Sequence, residues 1–312
     1  MDSHKKLFAG MAFAVSFQAK KQGENAEQQV ERMEFAKSLE RRILQAGGRL
    51  LSGGFHELFR APPVKSVGSS PVSSASSSAS TDEEVTLTSS ARNLGFTALI
   101  ADGHSRKVKY MEALALGLPC LAPKWITTCL DRGQIVDWAP YLLCAGQSKF
   151  LGDAHRSRNL APYDPLTAQL SEIVESRSQL LKDDRILLVM KKSDNVRKGP
   201  YVFLARVLGA TVCRVHNLEE ARGKMKQMEA LRQPFDWVYV DDKFDKGELF
   251  DTDGHVGATA KRRKSRSAKE AAAGGKNHGA AKPPTKIRTL SDELVIQSLI
   301  LGRLIEEGEM EE

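Results

Sequence analysis

The chain has 312 residues and a formal net charge of +7, a length that exceeds one ordinary domain and leads us to expect two folding units with linkers. Its four cysteines, Cys120, Cys129, Cys144 and Cys213, contain no C-x-x-C pair and no His at a metal-ligand interval, which argues against a disulfide scaffold or a zinc module. No apolar run reaches the roughly 18 residues that span a bilayer, and the positive balance favours acidic partners over a membrane interior.

Leu7 to Phe17 is an apolar, β-prone run broken by Gly10, the pattern of a buried strand with a close backbone turn. From about Asn25 to Ala46, Val30, Met33, Ala36, Leu39 and Ile43 recur at helical spacing, and Gly47-Gly48 ends the helix. A short strand, Arg49 to Ser52, follows. Residues 61–92 are rich in Ser and Pro, a composition too poor in apolar surface to offset its ordering entropy. Strand-like sequence resumes at Phe96 to Asp102, so we expect a disordered loop inserted in a folded unit. Helix Lys107 to Leu116, strand Pro119 to Ala122 and helix Pro123 to Arg132 complete that unit.

An extended piece, Tyr141 to Cys144, and a helix, Thr167 to Leu181, read as a linker. The pattern then restarts with strand Arg185 to Met190, helix Pro200 to Leu208, strand Thr211 to Val215, helix Leu218 to Leu231 and strand Phe235 to Val240. This is a diverged internal repeat. A second biased stretch, 251–285, carries the basic run Lys261, Arg262, Arg263 and Lys264. That run reads as a nuclear import signal, as a weak nonspecific contact to nucleic-acid phosphates, or as an ordinary solvated loop. Lys286 to Leu290 is the last strand, and Ser291 caps a closing helix through Leu301. Strands alternating with helices predict an α/β fold with small parallel sheets covered on both faces.

Leu7-Phe-Ala-Gly-Met-Ala-Phe13, Ala98-Leu-Ile-Ala-Asp-Gly-His-Ser-Arg-Lys-Val-Lys-Tyr110, Gly117-Leu-Pro-Cys120, Trp125-Ile-Thr-Thr-Cys129 and Tyr141-Leu-Leu-Cys-Ala-Gly146 follow one another in the order of a BRCT domain. In detail they resemble the tandem BRCT region of DNA-damage checkpoint mediators, known from fungi and from the vertebrate mediator that binds a tumour-suppressor protein. An indole and a thiol one helical turn apart, as in Trp125 and Cys129, give one continuous buried face. In the second half Trp237 sits in the third-strand match, while Leu294 stands where the closing helix of the family carries a tryptophan.

The resemblance implies two BRCT repeats, each a four-stranded parallel sheet flanked by helices, packed in tandem. We place repeat 1 at 5–146, the linker at 147–183 and repeat 2 at 184–308. It further implies a nuclear, chromatin-associated reader of the phosphorylated C-terminal tail of a core histone at DNA breaks, working among other checkpoint and repair proteins. Because strand-like sequence begins within the first ten residues, we expect a C-terminal fragment of a larger mediator.

Phosphate-binding BRCT pairs use a backbone amide after strand one and a lysine at the start of the second helix. On this chain we assign the amide to Gly10, which has no Cβ to obstruct an anion, and the ammonium to Lys109, with Lys107 beside it. That assignment requires Gly10 and Lys109 to converge on one anion. The hydroxyl donor that the family often places next to the glycine is replaced by Ala9, leaving Ser16, Ser105 or another backbone amide as alternatives. Arg106 and Ser105, together with the Asn195 to Tyr201 segment, are candidates for the peptide and its free carboxylate. Judged without the resemblance, Lys107 and Lys109 are a solvated helix face and Gly10 a simple turn.

Two other functions stay open. One is phosphate-independent docking of another protein or a second copy of the chain, as a homodimer. The other is an enzyme, since BRCT repeats are also appended to ligases and polymerases. No P-loop, metal-binding carboxylate cluster or nucleophile motif occurs in the sequence, so we expect no catalysis, cofactor or metal.

Overall fold

The computed structural model describes residues 6–61, 85–191, 193, 195–240, 249, 287–305 and 309. Most of the Ser-rich stretch and the whole basic run Lys261, Arg262, Arg263 and Lys264 lie outside the described residues. In chain order the first repeat contains β1 (Ala12–Ser16), α1 (Ala26–Gln45), β2 (Arg49–Leu50), β3 (Phe59–Arg60), β4 (Thr86–Leu87), α2 (Ser89–Arg92), β5 (Thr97–Ala101), α3 (Val108–Ala115), β6 (Cys120–Leu121) and α4 (Lys124–Arg132). The linker supplies β7 (Gly146–Ser148), β8 (Ala154–Arg156) and α5 (Leu170–Glu175). The second repeat follows as β9 (Arg185–Val189), α6 (Asn195–Val207), β10 (Thr211–Val215), α7 (Leu218–Ala230), β11 (Trp237–Val240), β12 (Arg288–Leu290) and α8 (Asp292–Leu301).

Two four-stranded parallel sheets result, ordered β2-β1-β5-β6 and β10-β9-β11-β12. The central strands are buried on both faces because helices cover both, as parallel topology requires. Alternation along β1 sorts its side chains. Ala12 and Ala14 face the α3 side with Tyr110 and Met111, whereas Phe13, Val15 and Phe17 pack with Leu39, Ile43 and Trp125 between α1 and α4. Helix ends are set locally: Asn25 and Gln28 form a reciprocal capping box at α1, and the Ser291 side chain accepts the Leu294 N–H at α8.

The two repeats join through α3, which packs on α6 and α8. Their apolar interior is continuous there, running from Tyr110 and Met111 to Leu204, Val207, Leu299 and Ile300. Within α3, the wholly buried Glu112 accepts from the Phe55 N–H at 2.7 Å and meets His56 Nδ1 at 2.8 Å. Burial pushes this carboxyl up, and the His56 contact opposes that shift. The pair fastens the 53–58 segment, from which His56 reaches Phe203 of α6, as does Phe59 directly after it.

Three expectations need correction. The loop expected over 61–92 is closed at its base, because β3 pairs antiparallel with β4 and α2 follows directly. Phe59, Val85 and Ala91 carry enough buried apolar surface to order those flanks. The helix expected to start at Pro200 starts at Asn195, with Pro200 inside it as the sixth residue, where its ring removes one backbone donor from the helix. The linker helix expected over 167–181 is confined to Leu170–Glu175, where Leu170 and Val174 are the buried positions.

Candidate functional site

In a parallel sheet every strand ends on the same edge, and the helix after a strand begins there. β5 leads through Asp102 to Arg106 into α3, so the first turn of α3 lies beside the C-terminal end of β1. Lys109 Nζ donates to the Val15 carbonyl at 3.2 Å, and Lys107 Nζ donates to the Phe17 carbonyl at 2.5 Å. Ser16, between those two carbonyls, is half-buried and shares the β1 face of Ala12 and Ala14, the face that α3 covers. An ammonium has three donors, so a bond to one carbonyl fixes each head while leaving capacity for an anion. The N-terminal end of α3 carries Arg106, Lys107 and Lys109, and no acidic residue stands in its first turn. Cations at the positive end of a helix dipole are unfavourable alone and favourable once an anion is bound.

Gly10 is not part of this group. It precedes β1, has φ +79°, and its carbonyl accepts from the Gly95 N–H at 2.8 Å. From Ala12 to Ser16 the strand advances about 13 Å at about 3.3 Å per residue, which puts Gly10 at one end of β1 and Lys109 at the other. The grip assigned to a Gly10 amide and a Lys109 ammonium therefore does not form. Gly10 makes a turn that only a residue tolerant of positive φ adopts without strain.

The segment after β1 is held by a charged clamp. Arg32 of α1 donates to Glu24 through Nε and NH2 at 2.6 and 2.7 Å, to Asp102 Oδ2 at 2.9 Å and to the Gln18 carbonyl at 2.6 Å. Asp102 Oδ1 accepts the Gln18 N–H at 3.0 Å, and Lys21 Nζ donates to the Asp102 carbonyl at 2.9 Å. The Arg32 bonds hold the Glu24 carboxyl down to about 2, so the pair stays ionised through neutral pH. By tying the β1–α1 segment to the β5–α3 segment, this clamp fixes the spacing between Ser16 and the two lysines. Asp102 lies 70 positions from Arg32, and no local pattern pairs it with Arg32 and Glu24, which is why spacing alone missed the clamp.

The remaining assigned residues are placed as follows. Ser105 Oγ is buried without a hydrogen-bond partner among the described residues, one residue before Arg106. Arg106 bonds Glu293 in the first turn of α8, across the seam between repeats. In the Asn195 to Tyr201 segment, Lys198 is 7% exposed and turns inward, donating to the Tyr239 hydroxyl at 2.6 Å and to Asp292 at 3.0 Å. Its ammonium is therefore engaged inside repeat 2 and does not face a ligand. Trp125, Cys129 and Trp237 are fully buried. Trp125 Nε1 donates to the Val136 carbonyl at 3.0 Å, the Val136 N–H reaches Cys129 Sγ at 3.5 Å, and Trp237 Nε1 donates to Asp184 at 2.8 Å. His104 stacks edge-on against His155, with ring centroids 5.0 Å apart.

Two parallel four-stranded sheets are joined by a linker and packed through α3, α6 and α8. In sequence the chain is 37% identical over 125 residues to DNA repair protein crb2 of Schizosaccharomyces pombe, covering 36% of this chain and 16% of crb2. It is 44% identical over 55 residues to DNA repair protein RAD9 of Saccharomyces cerevisiae, covering 17% of this chain and 4% of RAD9. The chain thus spans a small part of either relative's length. No protein-family model matches it. Among solved structures, the BRCT5-BRCT6 domains of S. pombe Brc1 overlay at a TM-score of 0.32 with 18% identity, covering 68% of this chain and 70% of that one, too loosely to add to the case.

Proposed function

We propose that the chain is a phosphopeptide-binding module of a nuclear DNA-repair and checkpoint mediator, which reads the phosphorylated C-terminal tail of a core histone on chromatin at DNA breaks. The observation that carries this reading is the group at the C-terminal end of β1, where Lys107 and Lys109 are anchored on the carbonyls either side of Ser16. Lys109 is the principal phosphate ligand, Lys107 a second ammonium, and the Ser16 hydroxyl the donor that Ala9 does not supply. Ser105, whose hydroxyl is buried without a partner among the described residues, is a further contact, since a buried donor gains when a ligand satisfies it. The relatives in DNA repair support the nuclear setting. No catalytic step is assigned to any residue.

The test is calorimetry with a histone-tail peptide ending in a free carboxylate. The phosphorylated peptide is expected to bind with a clear heat. Its unphosphorylated twin should be at least tenfold weaker, because it lacks the dianion that two charge-assisted bonds would hold, each worth about 1.5–3 kcal/mol. Equal binding of the two peptides would leave docking without phosphate as the function.

A further inference from the structure

β1 ends by sending consecutive side chains to opposite faces of the first sheet. Ser16 lies on the face that α3 covers, and Phe17 packs on the other face with α1. The buried Phe17 ring meets Phe35 of α1, with ring centroids 6.2 Å apart, and Phe35 itself is 41% exposed. Phe35 forms one wall of a shallow open groove, which Lys21, Gly23, Gln28, Glu31 and Arg32 help to line. An added Cβ at Gly23 would meet nothing within 4 Å, so the turn that carries it leaves the groove unobstructed. Arg32 is engaged by Glu24 and Asp102, and Lys21 by Asp102. Glu31 is exposed, makes no ion pair among the described residues and stands one helical turn from Phe35 on the same side of α1. An aromatic face and an unengaged carboxylate at i+4 and i suit one kind of side chain, a long apolar stem that ends in a cation.

We propose that this groove receives a basic side chain of the ligand, an arginine or lysine about two to four residues before the phosphoserine, stacked on Phe35 with its cation at Glu31. This rests on the phosphopeptide reading above and adds to it a preference upstream of the phosphate. The groove adjoins the lysine group directly. Lys107 Nζ is held on the carbonyl of Phe17, the residue whose ring packs on Phe35. A peptide with its phosphate on Lys107 and Lys109 therefore needs only a few extended residues, at about 3.3 Å each, to reach α1. Topology decides which residues these are. α3 packs on repeat 2, while α1 lies on the opposite face of the first sheet, so the two arms of a ligand crossing the end of β1 leave in opposite directions. With the free end on the seam side, the residues before the phosphoserine pass over α1. Charge points the same way, because the lysine group and Glu31 present opposite signs side by side. They match a phosphate preceded by a cation, whereas an acid at that place would meet Glu31 as a like charge.

The experiment is calorimetry on the full chain with phosphoserine peptides that share the phosphoserine and everything after it. The reference peptide has glutamine at the second, third and fourth positions before the phosphoserine. The test peptides carry a single arginine, or a single glutamate, at each of those positions in turn. One arginine peptide is expected to bind about threefold to tenfold tighter than the reference, the gain of one cation on an exposed ring together with one surface ion pair. Glutamate at the same position should bind more weakly than the reference. Glu31→Gln and Phe35→Leu should each remove most of the arginine gain and leave the reference peptide unchanged. Phe35→Leu keeps an apolar side chain on Phe17, so a loss there reports the aromatic face and not the fold. Glu31→Arg should transfer the preference to the glutamate peptide. Arginine without effect at all three positions, or a gain that survives both Glu31→Gln and Phe35→Leu, overturns the groove. A reference peptide that binds equally with and without its phosphate would instead remove the phosphopeptide reading beneath it.

Discussion

Lys109→Ala is expected to lower affinity for the phosphorylated tail peptide by roughly tenfold or more while leaving the fold intact. The ammonium is half-buried and oriented by the Val15 carbonyl at 3.2 Å, so its position is set before a ligand arrives. Removing one partner of a hydrogen bond to a charged group costs about 1.5–3 kcal/mol, and each 1.4 kcal/mol is a factor of ten in binding. Lys107→Ala should lose less, because that residue is exposed and its ammonium is better solvated. Gly10→Ala separates this account from the one drawn on the glycine. An added Cβ there meets nothing within 4 Å, so the substitution should cost about 1–2 kcal/mol of stability through its positive φ and leave peptide affinity unchanged. Calorimetry on the three variants checks the order.

Trp125→Ala is expected to destabilise the chain by about 3–5 kcal/mol, a large part of the roughly 5–15 kcal/mol available to a domain. The indole is fully buried and packs against Phe8, Phe13 and Phe96, with ring centroids 5.3 to 6.0 Å away. Its Nε1 also holds the Val136 carbonyl, which the alanine would leave without that donor. Cys129, one turn on, receives the Val136 N–H, so indole and thiol fasten the same segment as α4 ends. A denaturant titration should show the loss as a lower midpoint. If Trp125→Phe recovers most of the stability, apolar packing is the larger part; if it recovers little, the Nε1 bond is.

The sequence carried the order of elements well, because central parallel strands must be apolar on both faces and α1 and α4 have one apolar face each. Lys107 and Lys109 sit at the β5–α3 turn, where a β-α connection must bring them. The glycine half failed for a reason that topology could have supplied. Leu7 to Phe17 is one apolar run, and nothing in its composition tells which end adjoins α3. The parallel pairing of β1 with β5 does tell, and it points to Ser16. The Arg32 clamp and the Arg106 to Glu293 pair were illegible because their partners lie 70 and 187 positions apart, and no local pattern marks a carboxylate chosen by tertiary contact. Glu112 shows the same limit: on a helix it reads as solvent-facing, yet the 53–58 segment folds over it.

The most direct measurement is a nuclear magnetic resonance titration of the isotopically labelled chain with the phosphorylated tail peptide, following backbone amides and lysine side chains together. Saturable shifts should gather at Ser16, Phe17, Lys107 and Lys109, with Gly10 unmoved. Shifts centred on Gly10, or the same pattern produced by the unphosphorylated peptide, would contradict a phosphate site at the end of β1.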